Sequence, residues 1–146
     1  MTCIAFRAGR FAADRQITGD RKFPGHKIVE FDDPELGRIV LACSGKVTSG
    51  DRFKRWVKRG RKGRAPSTAN VDCIVAIKTT RELELWHVGD GQLSRTAIAR
   101  EYEAIGSGSA YALGAMSMGA SARKAVLVAA EHDQYTGQGV DTVRVW

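Results

Sequence analysis

The chain opens Thr2-Cys3-Ile4-Ala5-Phe6-Arg7-Ala8-Gly9-Arg10-Phe11-Ala12-Ala13-Asp14, two short apolar segments around a small dipeptide. Residues 2–7 and 10–13 have strand composition, and Ala8-Gly9 supplies a tight hairpin turn between them. Strand alternation sends the Thr2 side chain to one face and that of Cys3 to the other. Working outward, residues 14–25 are polar and contain Gly19, Pro24 and Gly25, which reads as a loop. Residues 27–31 read as a short strand, 32–37 as a turn and 38–43 as a buried strand. From residue 48 to 58 the period becomes helical, with Phe53, Trp56 and Val57 at i, i+3 and i+4; this spacing marks core. Gly60, Gly63 and Pro66 end that helix. Strands are expected at 71–78 and 83–88, with a weaker one at 93–100.

Residues 107–118 read as a helix whose small face, Ala110, Gly114 and Ser117, predicts close packing there. Ser121 is placed to cap a second helix running to about Glu131. Residues 140–146 alternate apolar and polar as a closing strand. The order is strands, one short helix, strands, two helices, strand. It predicts an α/β sandwich with helices covering sheet faces, in one domain over 1–146. No βαβαβ alternation supports a doubly wound sheet.

Composition narrows the function classes. The longest apolar runs are only a few residues, so no membrane span is expected. The first residues lack the basic-then-apolar pattern of a secretory signal. Cys3, Cys43 and Cys73 are an odd, widely spaced set without a CxxC, which predicts no disulfide framework and a reducing, cytoplasmic setting. His26, His87 and His132 are isolated, so no metal is expected, and no phosphate-loop or GxSxG pattern occurs. The chain carries 23 Lys+Arg against 16 Asp+Glu, a net charge of +7. Residues 54–64 hold seven of those cations (Lys54, Arg55, Lys58, Arg59, Arg61, Lys62 and Arg64) and no acid, so the remainder is neutral. One basic segment sits on a neutral domain.

Thr2 follows the initiator methionine, and threonine is small enough for Met1 to be removed. A free N-terminal threonine would carry its own base: the α-amine can take the hydroxyl proton directly or through one water. That amine has an ordinary pKa of roughly 7.7–8.0, near the range general-base work prefers. A neighbouring lysine cation would push it lower.

Five stretches, in order, carry a resemblance. They are TCIAFRAGRFAADRQITG (2–19), HKIVEF (26–31), LACSG (41–45), EAIGSGSAYALGAM (103–116) and HDQYTGQGVDTVRVW (132–146). Together they resemble the β subunits of proteasomes and the HslV-type bacterial peptidase, N-terminal-nucleophile hydrolases with an αββα four-layer sandwich. The resemblance implies Thr2 as nucleophile, Asp14 of the AAD motif as the partner that orients Lys27, and Lys27 as the cation that lowers the basicity of the Thr2 amine. It places the oxyanion donor on the backbone N–H of Ser44 or Gly45. It maps supporting groups onto Ser107 of the GSG motif and onto Asp133 and Thr136 of D-x-x-[ST]-G, with Gly137 serving the turn. Cys3 reads as a small buried residue and not as a second nucleophile.

The middle of the chain departs from the family. Residues 46–70 leave only 25 positions where relatives usually build two long helices, so one helical layer is expected to be shortened. Sheet surface bared by that loss would need another subunit to cover it. These readings combine into a compact, divergent threonine peptidase of the cytoplasm acting on protein or peptide substrates. It would need no cofactor and would assemble as a homo-oligomeric ring, with an ATP-dependent unfoldase as a further partner. Two rivals stand behind it: a catalytically inactive structural subunit of the same fold, and a nucleic-acid-binding module working through residues 54–64.

Overall fold

The computed structural model describes residues 2–66, 70–89 and 91–146. Met1, and with it the expected removal, lies outside the described residues. The elements run β1 (Ile4–Arg7), β2 (Arg10–Asp14), β3 (Gln16–Thr18), β4 (Lys22–Pro24), β5 (Ile28–Asp33), β6 (Gly37–Gly45) and α1 (Val47–Lys58). They continue with β7 (Val71–Ile77), β8 (Glu82–Gly89), β9 (Gln92–Ala97), β10 (Tyr102–Ile105), α2 (Ser109–Ser117), α3 (Ala122–His132) and β11 (Val140–Arg144). Two compact units result: Met1–Ile28 with Arg100–Trp146, and Val29–Ala99.

The first unit is built on an antiparallel sheet in the order β10-β1-β2-β11. Ala8 (φ 49°) and Gly9 (φ 73°) both take left-handed backbone, the two-residue turn that matches strand twist, and leave Arg7 opposite Arg10. One face of the sheet carries small side chains, Cys3, Ala5, Ala12 and Ala104. These pack with Ala112 and Met116 of α2 and with Ala125, Val126 and Ala129 of α3. Ser121 caps α3, its hydroxyl accepting from the Lys124 N–H at 3.2 Å. The expected close packing at Ala110, Gly114 and Ser117 is absent: all three are exposed, and α2 buries Ala112 and Met116 instead. Small residues on a helix mark a surface that permits close approach; they do not show that anything in the same chain uses it.

Residues 14–25, read as loop, contain the β3–β4 hairpin. Its Lys22, Phe23 and Pro24 are exposed, so no buried alternation announces it, and the pairing rests on backbone hydrogen bonds. β10 escaped notice for a similar reason, since Tyr102–Ile105 is too short to show a period.

The second unit is a five-stranded sheet, β5-β6-β7-β8-β9, with α1 against β6 and β7. Phe53, Trp56 and Val57 bury the apolar face of α1, and Phe53, Trp56 and Trp86 form a ring cluster with centroids 5.7–5.9 Å apart. A single helix covers this sheet among the described residues, which is the shortened helical layer.

The cysteine expectation needs correction. Cys43 and Cys73 are direct cross-strand neighbours in the β6–β7 register, with Cα atoms 4.1 Å apart, and form a disulfide. Thirty residues separate them in sequence, and only the strand register brings them opposite. The cytoplasmic expectation rested on unpaired thiols, so that ground falls away. Cys3 alone is free; burial, reinforced by the Asp14 and Asp133 charges, pushes its thiol up to about 12. No helix among the described residues is long and apolar enough to cross a membrane.

Candidate active site

Thr2 lies just before β1 and is held from both sides by extension of the ladders. The Asp14 N–H donates to the Cys3 carbonyl at 3.1 Å, and the Gly108 N–H donates to the Thr2 carbonyl at 3.1 Å. Those bonds turn the Thr2 hydroxyl toward the last residue of β2. There, Asp14 Oδ1 accepts from the Thr2 hydroxyl, from the Cys3 N–H at 2.9 Å and from Lys27 Nζ at 2.7 Å. Its Oδ2 accepts from the N–H groups of Gln16 and Gly137, each at 3.1 Å. A carboxylate with no solvent exposure is thus saturated by five donors.

Lys27 sits between β4 and β5, 8% exposed, and its ammonium donates to the Thr2 hydroxyl as well as to Asp14. Burial lowers its pKa from the ordinary lysine value; the Asp14 charge and hydrogen bond pull the other way. A cation is therefore fixed at hydrogen-bond distance from a hydroxyl.

A second branch reaches the Thr2 nitrogen. Its N–H donates to Ser107 Oγ at 3.1 Å, and Ser107 Oγ donates to Asp133 Oδ2 at 2.7 Å. Thr136 Oγ1 also donates to Asp133 Oδ2, at 2.6 Å, while the Tyr135 N–H reaches Oδ1 at 3.2 Å. Burial opposes ionisation of Asp133, but the Ser107, Thr136 and Tyr135 donors outweigh it and hold the carboxyl below its usual range. Ser107 is therefore a bridge to Asp133. The cap of α2 is Gly108, whose added Cβ would lie 2.9 Å from Cys3 Cβ and from Thr136 Oγ1.

The first unit thus brings Thr2, Asp14, Lys27, Ser107, Asp133 and Thr136 into one hydrogen-bonded set. Ser44 and Gly45 end β6 in the second unit. Ser44 is buried and pairs with Asp72; Gly45 (φ 119°) has no room for a side chain, since its Cβ would meet the Asn70 carbonyl at 2.5 Å. Sequence reasoning missed the backbone donors of Gln16 and Gly137 and the steric role of Gly108. It also missed the Asp141 carboxylate, which holds Arg15 at 2.5 Å and His26 at 2.7 Å, the chain neighbours of Asp14 and Lys27. Backbone donors leave no mark on residue identity, so only a contact map could reveal them. Among the described residues, no three His, Cys, Asp or Glu side chains gather as a metal site requires.

No protein-family model matches the sequence, and no curated protein matches it. Solved structures do. Anbu (ancestral beta-subunit) from Yersinia bercovieri superposes with a TM-score of 0.67 at 15% identity, over 98% of this chain and 80% of that one. Eukaryotic HslV from Trypanosoma brucei gives 0.66 at 20% identity, over 97% of both chains. The Anbu complex from Pseudomonas aeruginosa, a helical assembly, gives 0.67 at 12% identity, over 99% of this chain and 80% of that one. This is the N-terminal-nucleophile hydrolase fold. The likeness to HslV and Anbu is one of architecture, and it spans nearly the whole chain.

Proposed function

We propose that the protein is a threonine peptidase of the N-terminal-nucleophile type, with Thr2 as its nucleophile once Met1 has been removed. The observation that carries this reading is the buried contact of the Thr2 hydroxyl with both Lys27 and Asp14. A hydroxyl held between a cation and a carboxylate, beside a nitrogen with its own polar relay, has the parts nucleophilic catalysis needs.

In the proposed reaction the freed α-amine takes the proton as Thr2 Oγ1 attacks a peptide carbonyl. The carbonyl oxygen becomes an oxyanion, and the backbone N–H of Ser44 or Gly45 is assigned to it; such a donor is worth roughly 3–4 kcal/mol. Collapse breaks the C–N bond, and the ammonium returns its proton to the leaving amine. A water then hydrolyses the Thr2 ester and restores the hydroxyl. Lys27 stays protonated throughout, lowering the basicity of the amine, while Asp14 fixes its position. Ser107 and Asp133 orient the nitrogen, and Thr136 holds Asp133. Substrates are proteins or peptides. A homo-oligomer is part of the reading, supported by the helical assembly of the similar Anbu complex, and an ATP-dependent unfoldase is the partner such an assembly would take.

The test is intact-mass analysis of protein made in its own host, before and after a peptide epoxyketone or β-lactone. The expected result is a chain lacking Met1 that gains one adduct, with no adduct on Thr2→Ala. A chain that keeps Met1 and gains nothing would replace this reading with that of an inactive structural subunit.

A further inference from the structure

The basic run does not behave as one patch. Lys54 pairs with Asp51 at 3.8 Å, Lys58 lies 5.8 Å from the Phe31 ring, and Arg61 binds Glu84 at 2.7 Å. Lys62 lies outside the pocket, and the remaining arginines converge. Arg55, Arg59 and Arg64 line one pocket of about 480 Å³ together with Arg52, which stands just before the run. The helical spacing explains it: 52 and 55 share one face of α1, the C-cap Arg59 continues that face, and the turn after Gly60 carries Arg64 back to it. No acidic residue lines the pocket. Among the described residues, the guanidinium groups of Arg55, Arg59 and Arg64 make no ion pair or hydrogen bond. Trp56, Ala65 and Pro66 complete the wall, and the Trp56 indole N–H is a buried donor with no acceptor among the described residues.

Arg55, Arg59 and Arg64 around one concavity are mutually repulsive, and no carboxylate among the described residues lines the pocket to relieve them. A single carboxylate would neutralise one of these three charges. A triphosphate brings three to four negative charges in one compact group, with oxygens spaced for bidentate arginine contacts. A nucleic-acid strand distributes its charges along a track, which suits a stripe of cations better than a closed cluster. We infer that this pocket binds the polyphosphate group of a small ligand. Two sources share that chemistry, a nucleoside triphosphate and an inorganic polyphosphate chain.

Calorimetric titration of the full-length protein at about 0.1 M salt decides it, using inorganic tripolyphosphate, ATP, citrate and a single-stranded oligonucleotide as probes. The expected result is one tripolyphosphate per chain, on the order of micromolar, weakening roughly tenfold or more in Arg55→Gln/Arg59→Gln. Lys54→Gln, outside the pocket, should leave it unchanged. ATP binding more tightly than tripolyphosphate would name a nucleotide as the source, and equal binding would name the inorganic chain. Arg64→Gln, off the helix, is the second variant should the double substitution disturb α1 by circular dichroism; it should also weaken binding. The inference is overturned if neither phosphate probe saturates, if citrate binds as tightly, if the oligonucleotide outcompetes both, or if Lys54→Gln loses as much as the pocket variants. None of these readouts depends on peptide hydrolysis.

Discussion

The Thr2 cluster and the α1 pocket both concentrate positive charge, and they handle it in opposite ways. In the cluster one ammonium, Lys27, is buried and clamped to a saturated carboxylate at 2.7 Å. In the pocket Arg55, Arg59 and Arg64 stand exposed, and among the described residues no carboxylate lines it. The comparison teaches that the value of a charge depends on who compensates it. A buried cation with an internal partner has a fixed position and acts on neighbours through a weakly screening interior. Exposed cations are compensated by solvent and salt and are free to exchange those for an external anion. The first arrangement suits chemistry and the second suits binding.

The sharpest way to break that contrast is substitution within the cluster. Thr2→Ala should reduce peptide hydrolysis by at least ~10³-fold, with the Lys27–Asp14 pair and the fold intact by circular dichroism. Lys27→Met should cost about 3–5 kcal/mol in urea denaturation, because it leaves the Asp14 charge buried without its cation. Arg55→Gln should stay within about 0.5 kcal/mol of the parent. If Lys27→Met proves as mild as Arg55→Gln, the distinction between the two regions collapses.

A smaller loss is expected where the cluster leans on packing. An alanine methyl at Gly108 would press on Cys3, Thr136 and Ala129 at 2.9–3.0 Å, all three buried. Overpacking of this kind costs typically 1–3 kcal/mol, and displacement of Thr136 should slow adduct formation at Thr2. Gly114 of α2, with nothing within 4 Å of an added Cβ, offers no such contact. A Gly108→Ala variant with parental stability and reactivity would show that the Ser107 branch does not depend on that close approach.

How much of this was legible in the sequence depended on whether a feature lives in side-chain type or in register. The β1–β2 hairpin was readable because Ala8-Gly9 is a turn signal, and α1 because Phe53, Trp56 and Val57 repeat with the helical period. The six cluster residues, Thr2 to Thr136, were named through a family resemblance, since nothing local to Asp14 or Lys27 distinguishes a buried ion pair from a turn and a strand edge. The Cys43–Cys73 bond was invisible because it depends on β6 and β7 pairing in one register and no other. The division of the basic run was equally hidden. Its seven cations look alike in sequence, and only folding assigns Lys54 to Asp51, Arg61 to Glu84, and Arg55, Arg59 and Arg64 to the pocket.

The finest comparison sets Asp133 of the first unit beside Asp33 of the second. Both carboxyls are held below the usual range, Asp33 by the Leu36 and Glu35 N–H groups, Asp133 by hydroxyl and backbone donors that outweigh its burial. A carboxyl whose folded pKa lies below its unfolded one contributes stability that is fully present above the unfolded value, about 3.9. That contribution is lost as pH falls through the folded value. Asp133→Asn and Asp33→Asn should therefore each cost about 1 kcal/mol at neutral pH, and the cost should vanish in acid, read from urea midpoints across pH. Only Asp133→Asn should also change the pH profile of adduct formation, because only Asp133 connects through Ser107 to the Thr2 nitrogen. Identical profiles for the two variants would reduce Asp133 to a structural carboxylate and leave the Thr2 amine without its relay.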